Sequence, residues 1–456
     1  MTTQKQNISI IGGGAAGLFL ACKLDSEKFN VTIYEKNTAL ARKFLVAGKG
    51  GFNLTHSENR EKFIEKYLPQ NKLREVFYSF DNNYFINWLK EIGVETFVGS
   101  SKRVFPKKGI KPIEVLNAIE KILKKNRVEI KFGHEWKGWD NLGNLVFEHK
   151  KELRHFDFAQ CDIDLVVFAL GGNSWKVTGS DGLWQSYFKE KGINTKQFQA
   201  SNCAFKIEWK QEIIKKLEGK ALKNVVFICG DKNASSLNSK HDAPLLKKNT
   251  TGNTPTLKQH TTKNTPTLNS VHDAPSLKLR RTRKGEAVIT QFGIEGSGVY
   301  PFSNEVREGL NKNGKVELIV DLKPELTEEF IIEQLKNKTD LNIKTILESK
   351  INLSETAFYL IKLSTSKEEY NSPEFISHLI KNFPIIINGL APIDEAISTV
   401  GGVPFDELNS DFELKKILNT YCIGEMVDWD APTGGYLLQM CFSMGFWVGK
   451  ILNDKF

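Results

Sequence analysis

The stretch ISIIGGGAAGLFLACKL, Ile8 to Leu24, decides the fold. An apolar strand, Ile8 to Ile11, is followed by Gly12, Gly14 and Gly17 in GxGxxG spacing and then by an apolar helix. The first glycine permits a tight turn, the second lets the backbone approach a pyrophosphate, and the third allows close helix–strand packing. The first N–H groups of the helix have no partner in the helix and can bind an anion. The stretch therefore predicts a Rossmann-like dinucleotide-binding domain of the α/β class.

An acidic residue closes the next predicted strand at the spacing that this motif requires. The strand VTIYE ends in Glu35, 18 residues after Gly17, where a carboxylate can accept a hydrogen bond from a ribose hydroxyl. Glu35 would repel a 2′-phosphate, so the ligand is predicted to be FAD or NAD. Arg42 and Lys43 are interpreted as partners of the pyrophosphate, with a solvated helix end as the alternative.

Two further glycine clusters point to the same ligand. VAGKGGFNLTH, Val46 to His56, sets glycines beside Lys49 and Asn53 and can run close against a flat or anionic molecule. Gly171 and Gly172 follow the buried strand LVVFAL, whose tip would reach the same crevice. No second GxGxxG follows, which argues against a dedicated NAD domain beside a flavin domain.

The run YCIGEMVDWDAPTGGYLLQM, Tyr421 to Met440, separates FAD from NAD. NAD would not require this distant segment, whereas the ribityl chain and ring of a flavin need additional groups. Glu425, after Gly424, can lie by the ribityl hydroxyls. Gly434 and Gly435 open a helix whose positive end would face the N1–C2=O side of the ring. We interpret the run as the completion of an FAD site.

Composition narrows the remaining classes. The chain has 456 residues and a formal charge of +9, of which +8 lies in Asp231 to Lys284, with eight lysines, three arginines and three aspartates. That segment repeats HDAPLLKK as HDAPSLKL and predicts a disordered basic insertion rather than a nucleic-acid footprint of the whole protein. No apolar run reaches the roughly 18 residues of a membrane span. The six cysteines show no metal spacing and indicate reduced, buried thiols in a cytoplasmic protein.

The middle of the chain changes its periodicity. Short strand-like runs, ALKNVVFICG, GEAVITQFGI and KVELIVDL, flank the insertion and predict a small β domain. A helical period follows from Pro324 to about Phe383. In NSPEFISHLIKNF, Ser372 is the predicted N-cap and Pro373 the first helical residue. Phe375, Ile376, Leu379 and Ile380 are predicted to form the buried face.

These motifs resemble one family over nearly the whole chain. IIGGGAAGL, Glu35, RKFLVAGKGGFNLTH, KRVFP, ALGGNSW, TVGGV and GEMVDWDAPTGGYLLQ are similar to the FAD-binding flavoproteins that include aminoacetone oxidases and the BaiN-type bile-acid enone reductase. GKGGFNLTH and DWDAPTGGYLLQ look most like a sister branch of that family. Many members have Arg-Cys-Asn where this chain has Gly51-Phe52-Asn53.

The resemblance implies an FAD domain built from both chain ends, with a β-barrel-like domain and a small helical domain inserted. The expected boundaries are 1–190 and 385–456 for the FAD domain, 191–323 for the β-rich domain with its insertion 231–280, and 324–384 for the helical part. Motif and resemblance together predict the following cofactor-binding residues: Gly12, Gly14, Ala15, Ala16, Gly17, Glu35, Lys36, Arg42, Lys43, Gly48, Lys49, Gly50, Asn53, Trp136, Gly171, Gly424, Glu425, Gly434, Gly435, Tyr436 and Leu437.

The predicted activity is FAD-dependent oxidoreduction of a small organic molecule, by hydride transfer at flavin N5. It would either reduce a conjugated C=C bond or oxidise an amine, and NAD(P)H stays open as a transient electron donor. No catalytic residue is assigned; the candidates are Arg103, Lys49, His56, Tyr436 and Asp428, the last as a residue that orients the Gly-Gly-Tyr turn. The alternatives are a flavoprotein that binds or modifies RNA through its basic insertion and a scaffold with a degenerate FAD site. The sequence does not predict the oligomeric state.

Overall fold

The computed structural model describes residues 4–46, 52–149, 152–156, 164–230, 281–337 and 342–456. The predicted site residues Gly48, Lys49 and Gly50 and the repeat insertion 231–280 lie outside these ranges. In chain order the strands are β1 Gln6–Ile11, β2 Phe29–Glu35, β3 Thr55–His56, β4 Thr96–Val98, β5 Arg103–Pro106, β6 Glu129–Phe132, β7 His134–Trp139, β8 Leu145–His149, β9 Glu152–Phe156, β10 Leu165–Phe168, β11 Lys196–Ser201, β12 Phe205–Lys206, β13 Ala221–Cys229, β14 Arg281–Ile289, β15 Gly293–Glu295, β16 Val316–Asp321, β17 Phe383–Ile387, β18 Gly389–Leu390, β19 Ser398–Gly402 and β20 Thr420–Cys422. The α-helices are α1 Ala15–Lys23, α2 Arg42–Val46, α3 Arg60–Ile64, α4 Gln70–Ser79, α5 Asn82–Glu91, α6 Pro112–Lys125, α7 Gln185–Glu190, α8 Gln211–Leu217, α9 Ser303–Asn313, α10 Glu328–Lys336, α11 Ile343–Ser349, α12 Glu355–Ser364, α13 Lys367–Tyr370, α14 Pro373–Lys381 and α15 Tyr436–Lys455.

A five-stranded parallel sheet carries the dinucleotide motif. Its order is β20-β10-β1-β2-β6, and every neighbouring pair runs parallel. Strands β1 and β10 are apolar and buried, as expected where helices or other layers cover both faces of a sheet. Since β20 comes from the last part of the chain, both chain ends build this sheet. The predicted Rossmann-like α/β fold is confirmed.

The last helix completes this layer by packing directly on the first. A Cβ atom on Gly445 of α15 would lie 2.7 Å from the backbone oxygen of Ala16 in α1. Glycine lets the two helices approach more closely than a larger residue would allow. The C-terminal run thereby reaches the glycine turn that opens the chain.

The strands predicted around the insertion belong to a seven-stranded antiparallel sheet of order β17-β16-β13-β14-β15-β12-β18. Cys229 pairs with Arg281 across β13 and β14, so the insertion joins two adjacent strands. The edge strands β17 and β18 are separated in the chain only by Asn388. The sheet must therefore curl until its edges come near each other, as in a barrel.

Two large hydrophobic clusters divide the described residues. One contains residues of the first 198 positions together with residues 403–452, and the other runs from Phe205 to Ile387. Helices α10 to α12 and α14 share the second cluster with the seven-stranded sheet. The β11–β19 pair lies at the crossing between the two clusters. The domain boundaries predicted from the sequence remain a proposal.

No helix among the described residues is long and apolar enough to cross a membrane. The same residues contain no group of acidic, histidine or cysteine side chains arranged to hold a metal ion. Five of the six cysteines are described, and all five are buried.

Candidate functional site

A cavity of about 590 Å³ lies at the carboxyl ends of the parallel strands. Ligands bind at this edge in open α/β sheets because loops from neighbouring strands meet there. Sixteen of the predicted residues line the cavity: Gly12, Gly14, Ala15, Ala16, Glu35, Lys36, Arg42, Lys43, Asn53, Trp136, Gly171, Gly424, Glu425, Gly434, Gly435 and Leu437. Both chain ends therefore contribute to one cavity.

The three motif glycines have different surroundings. Gly12 has φ +111°, and a Cβ there would lie 2.4 Å from the Ala169 carbonyl oxygen. A Cβ on Gly17 would lie 2.3 Å from the Gly12 oxygen, whereas one on Gly14 would meet no atom within 4 Å. Gly12 and Gly17 are thus required by the fold itself, while Gly14 leaves open space in front of the N-terminus of α1. Gly17 does not line the cavity and serves packing alone.

The Glu35 carboxylate is buried at the end of β2 and holds the glycine turn. Oε2 accepts the Gly13 N–H at 2.9 Å, and Oε1 accepts the backbone N–H and the side-chain amide of Asn37 at 2.8 and 2.7 Å. A carboxylate oxygen can accept two hydrogen bonds. Among the described residues Oε2 takes only one, so it keeps capacity for a ligand hydroxyl.

Lys43 connects the two chain ends across the cavity. Its Nζ donates to Glu425 Oε2 at 2.8 Å and to Ser174 Oγ at 2.8 Å. Arg42 donates to Asn37 Oδ1 at 2.7 Å. Both cations line the cavity, as the predicted contact with pyrophosphate requires, but each is already bonded to a protein acceptor.

The C-terminal glycine pair starts α15 at the other end of the cavity. Gly434 and Gly435 have φ values of +116° and +104°, and a Cβ on Gly435 would lie 2.4 Å from the backbone of Thr55. No acidic residue occupies the first turn of α15. The helix therefore presents an uncompensated positive end beside the cavity, as the sequence predicted.

Two predicted site residues use their side chains elsewhere. Tyr436 does not line the cavity: its hydroxyl donates to Glu58 Oε1, and its ring stacks on His56 at 5.3 Å between centroids. The pKa of Tyr436 is raised well above its usual range, chiefly by burial and secondly by the hydrogen bond to Glu58. The Trp136 ring packs on Phe168 at 4.6 Å, so this residue borders the cavity while its ring belongs to the aromatic core.

Asp428 does not orient the Gly-Gly-Tyr turn. Its Oδ1 accepts the Gly401 N–H at 3.0 Å and its Oδ2 pairs with Lys196 at 2.7 Å, so it fixes the β11–β19 pair. The turn is held instead by Asn202, which accepts the Thr433 N–H at 3.1 Å and donates to the Ala431 oxygen at 2.7 Å.

Asp430 anchors the same segment to the second hydrophobic cluster. Its Oδ2 accepts from Arg307 of α9 at 2.8 Å, and its Oδ1 accepts from Ser201 Oγ at 2.8 Å and from the Ala431 N–H at 2.9 Å. Asp430 and Arg307 are each about 6% exposed. The pair was not predicted because Arg307 and Asp430 are 123 residues apart in the chain.

The far end of the cavity is lined by residues that the sequence did not assign to the cofactor. Arg103 of β5, Ser297, Tyr300 and Ile397 lie there. Tyr300 follows the GSG turn after β15 and belongs to the inserted part of the chain. Burial raises the pKa of its hydroxyl to about 12, so the hydroxyl keeps its proton at neutral pH. The aromatic residue after a GSG turn was the only sequence pattern that could have suggested it.

Comparison with known proteins identifies relatives over the full length. The family model described as the HI0933-like protein Rossmann domain matches residues 6–451. A 3-dehydro-bile acid delta(4,6)-reductase of Clostridium scindens is 22% identical over 98% of this chain and 99% of its own length. A ribosomal RNA dihydrouridine synthase of Haemophilus influenzae is 23% identical over 98% of both chains.

A likeness in structure is found to a 3-ketosteroid delta1-dehydrogenase of Sterolibacterium denitrificans, with a TM-score of 0.48, 10% identity and full coverage of both chains. The family match alone covers nearly every residue of this protein. The chain belongs to the HI0933-like Rossmann family, the FAD-dependent oxidoreductase family that its sequence motifs indicate.

Proposed function

We propose that this protein is an FAD-dependent reductase that saturates a C=C bond conjugated to a carbonyl group in a small organic molecule. One observation carries the proposal. A single cavity runs from the Gly12 turn and Glu35 to the Gly434–Gly435 helix start, and its far end is lined by Arg103 and Tyr300. A cavity of this length suits a long dinucleotide such as FAD, whose reactive ring must contact a substrate molecule.

The residues of the cavity fit FAD. The open space at Gly14 admits a pyrophosphate against the N-terminus of α1. The free capacity of Glu35 Oε2 suits a ribose hydroxyl, and Lys43 with Glu425 offers donors and acceptors for a polyhydroxyl chain. NAD would leave the groups at Gly434 and Gly435 without a function.

Bound FAD supplies hydride transfer at N5. The protein contributes orientation, charge and a proton. The positive end of α15 would stabilise negative charge on a reduced ring bound beside it. Saturation of a conjugated C=C bond also consumes a proton, and Tyr300 Oη holds one at the far end of the cavity.

The relatives favour reduction over the oxidation of an amine. One is named a delta(4,6)-reductase and the other a dihydrouridine synthase. The first name denotes removal of unsaturation beside a ketone, and dihydrouridine is uridine with its conjugated C=C bond saturated. The two names share this chemistry, whereas their substrates differ in size and class.

The visible absorption spectrum of the purified protein tests this proposal. We expect the two bands of oxidised flavin, and we expect them to bleach when NADH or NADPH is added without oxygen. Bands that dithionite bleaches but neither nucleotide does would move the electron donor to a partner protein. If protein donors also failed to bleach bands that dithionite bleaches, a scaffold with a degenerate site would be favoured. A colourless protein that fails to take up FAD would refute the proposal.

A second candidate is a flavoprotein that modifies RNA. The Haemophilus influenzae relative is named for such an activity, and the basic insertion 231–280 offers a place for RNA to bind. Because Cys229 pairs with Arg281, a short Gly-Asn turn can replace the insertion without moving β13 or β14. This candidate requires RNA binding that weakens with salt and is lost in the shortened variant. Equal RNA affinity of both proteins would reject the role of the insertion.

A further inference from the structure

The far end of the cavity carries positive charge that no described acidic group neutralises. Arg103 is half-buried in the cavity wall, and its Nε lies 3.4 Å from the position of a Cβ on Gly434. Within the described part of the chain, the Arg103 guanidinium has neither a salt bridge nor a side-chain hydrogen bond. A half-buried arginine with no acidic partner is available to bind a negatively charged group of a ligand.

A second arginine from the inserted sheet reinforces this charge. Arg283 lies on β14, and burial together with the charge of Arg283 lowers the pKa of Arg103. Burial is the main cause that lowers the pKa of His56, and the charges of the same two arginines lower it further. No described carboxylate forms a salt bridge with Arg283 either.

The nearby acidic group does not offset the arginines. Glu58 accepts the hydroxyl of Tyr436 and lies 3.9 Å from His56 Nδ1, and none of these three residues lines the cavity. The N-terminus of α15 adds its own positive end beside Gly434. The charge of Glu295 contributes to the raised pKa of Tyr300, but among the described residues Glu295 forms no salt bridge with either arginine. Neither arginine is therefore paired with an acidic side chain there.

We propose that Arg103, with Arg283 behind it, binds a carboxylate of the substrate and so makes small organic acids the preferred substrate class. This inference rests on the proposed function, since it concerns the molecule that meets FAD. Arginine suits the role because its planar guanidinium binds a carboxylate through two parallel hydrogen bonds.

The position of the cluster favours the substrate over the cofactor as the partner. Arg283 belongs to the seven-stranded sheet, whereas the Gly12 turn, Glu35 and Glu425 belong to the other hydrophobic cluster. Arg103 lies on β5, in the part of the chain before residue 198, and Arg283 lies on β14 of the seven-stranded sheet. The two arginines therefore lie where these two parts of the molecule face each other. Ser297 and Tyr300 line the same end from the inserted side. Arg103 and Tyr300 therefore line one cavity, each from a different part of the chain.

The test compares two probes that differ in charge and share a conjugated C=C bond. Cinnamate and cinnamamide are titrated into the FAD-loaded protein, and the dissociation constants are read from the change in flavin absorbance. We expect the wild type to bind cinnamate more tightly than cinnamamide. Arg103→Gln is expected to weaken cinnamate binding by about 10- to 150-fold, as for a lost charge-assisted hydrogen bond, and to leave cinnamamide unchanged.

Three further variants sharpen the result. Arg103→Lys keeps the charge without the paired geometry and should recover part of the cinnamate affinity. Arg283→Gln should weaken cinnamate binding by a smaller factor. Arg127→Gln is the matched control, because Arg127 is an exposed arginine outside the cavity lining, and it should behave as the wild type.

Several outcomes would overturn the inference. One is a wild type that responds to neither probe or to both equally. Another is an Arg103→Gln variant that keeps its preference for cinnamate but binds sulfite at N5 less tightly, which would assign Arg103 to the flavin ring. Tight binding of uridine monophosphate without any response to cinnamate would assign the cluster to a nucleotide phosphate. A wild type without FAD would refute the proposed function instead, so the two failures are distinguishable.

Discussion

Single residues at the glycine turn separate binding from folding. Gly14 and Gly17 lie three positions apart, and both belong to the GxGxxG pattern. The protein leaves room for a side chain at Gly14 and none at Gly17. Gly14 has φ −82° and ψ −176°, an extended conformation that any residue adopts without strain. Substitution at these two glycines should therefore give different phenotypes.

Gly14→Val is expected to fold normally and to lose FAD, because the added side chain fills only the space reserved for the pyrophosphate. Gly17→Ala should reduce the stability of the apoprotein, because its Cβ would lie 2.3 Å from the Gly12 oxygen. Circular dichroism and chemical denaturation measure folding, and the flavin absorbance per protein measures binding. A yellow Gly14→Val protein with native FAD affinity would contradict the assignment of the turn.

Glu425 offers a test at the other chain end. Its carboxylate lines the cavity and pairs with Lys43 at 2.8 Å. Glu425→Gln is expected to weaken FAD binding by about 1–3 kcal/mol, since a neutral amide accepts hydrogen bonds from hydroxyls less strongly. Glu95→Gln, which breaks an exposed ion pair outside the cavity lining, serves as the control. An equal loss of FAD affinity in the control would mean that a contact of Glu425 with the cofactor is not responsible.

At the scale of elements, the start of α15 depends on the segment that precedes it, residues 430–433. Asp430 and Asn202 hold residues 430–433, and Gly435 then lies against the backbone of Thr55. Arg307 of α9, through Asp430, and Thr55 of β3 thus fix the helix end that faces the cavity. Its position depends on both hydrophobic clusters.

Asp430→Ala is expected to destabilise the protein by about 3–5 kcal/mol, because Arg307 would remain buried without an acidic partner. Adding Arg307→Met should restore much of this loss, since the uncompensated charge is removed as well. Glu95→Gln breaks the exposed pair with Lys107 and should leave the denaturation midpoint unchanged. If the double variant were no more stable than Asp430→Ala, the pair would not be the cause.

The helix after Ser372 illustrates how far element predictions reach. Ser372 caps α14 through the Phe375 N–H, and Ile376 and Ile380 are fully buried, as the sequence predicted. Phe375, predicted on the buried face, is 39% exposed. The apolar arc is therefore narrower than the sequence pattern, because the neighbouring element covers only the side with the two isoleucines.

At the scale of the whole molecule, the cavity proposed to bind FAD joins segments that are about 400 residues apart. Lys43 and Glu425 meet across the cavity, and β20 pairs with β10 in the parallel sheet. A ligand that contacts both chain ends must stabilise the folded state of the whole Rossmann part, because it binds only when these segments are assembled.

FAD added to the apoprotein at about 100 times its dissociation constant is expected to stabilise the fold by about 2.7 kcal/mol. A thermal or urea denaturation series at increasing FAD concentrations measures this shift. Gly14→Val should show no shift at the same concentrations. A rise in midpoint that is the same for both proteins would indicate binding outside the proposed cavity.

Most of the residues predicted from the sequence line the cavity because their backbone requirements are local. The glycine turn, Glu35 and the glycine pair before α15 each need a particular residue type at a fixed spacing, and all lie on one cavity. Tyr436 was predicted at the cofactor but turns to Glu58 and His56, while its neighbour Leu437 lines the cavity. One residue step along a helix rotates the side chain by about 100°. A motif therefore places the helix without placing each of its side chains.

The sequence by itself determined the Rossmann motif, its preference for an adenosine ligand without a 2′-phosphate, and the return of the chain end to that motif. These follow from turn geometry, charge and spacing, which act over a few residues. Tertiary structure alone decided which polar groups meet. It paired Asp430 with Arg307, turned Asp428 towards Gly401 and brought Arg103 and Tyr300 to the far end of the cavity. Burial and long-range electrostatics select such partners. Both depend on the folded arrangement of distant segments, so the local sequence does not reveal them.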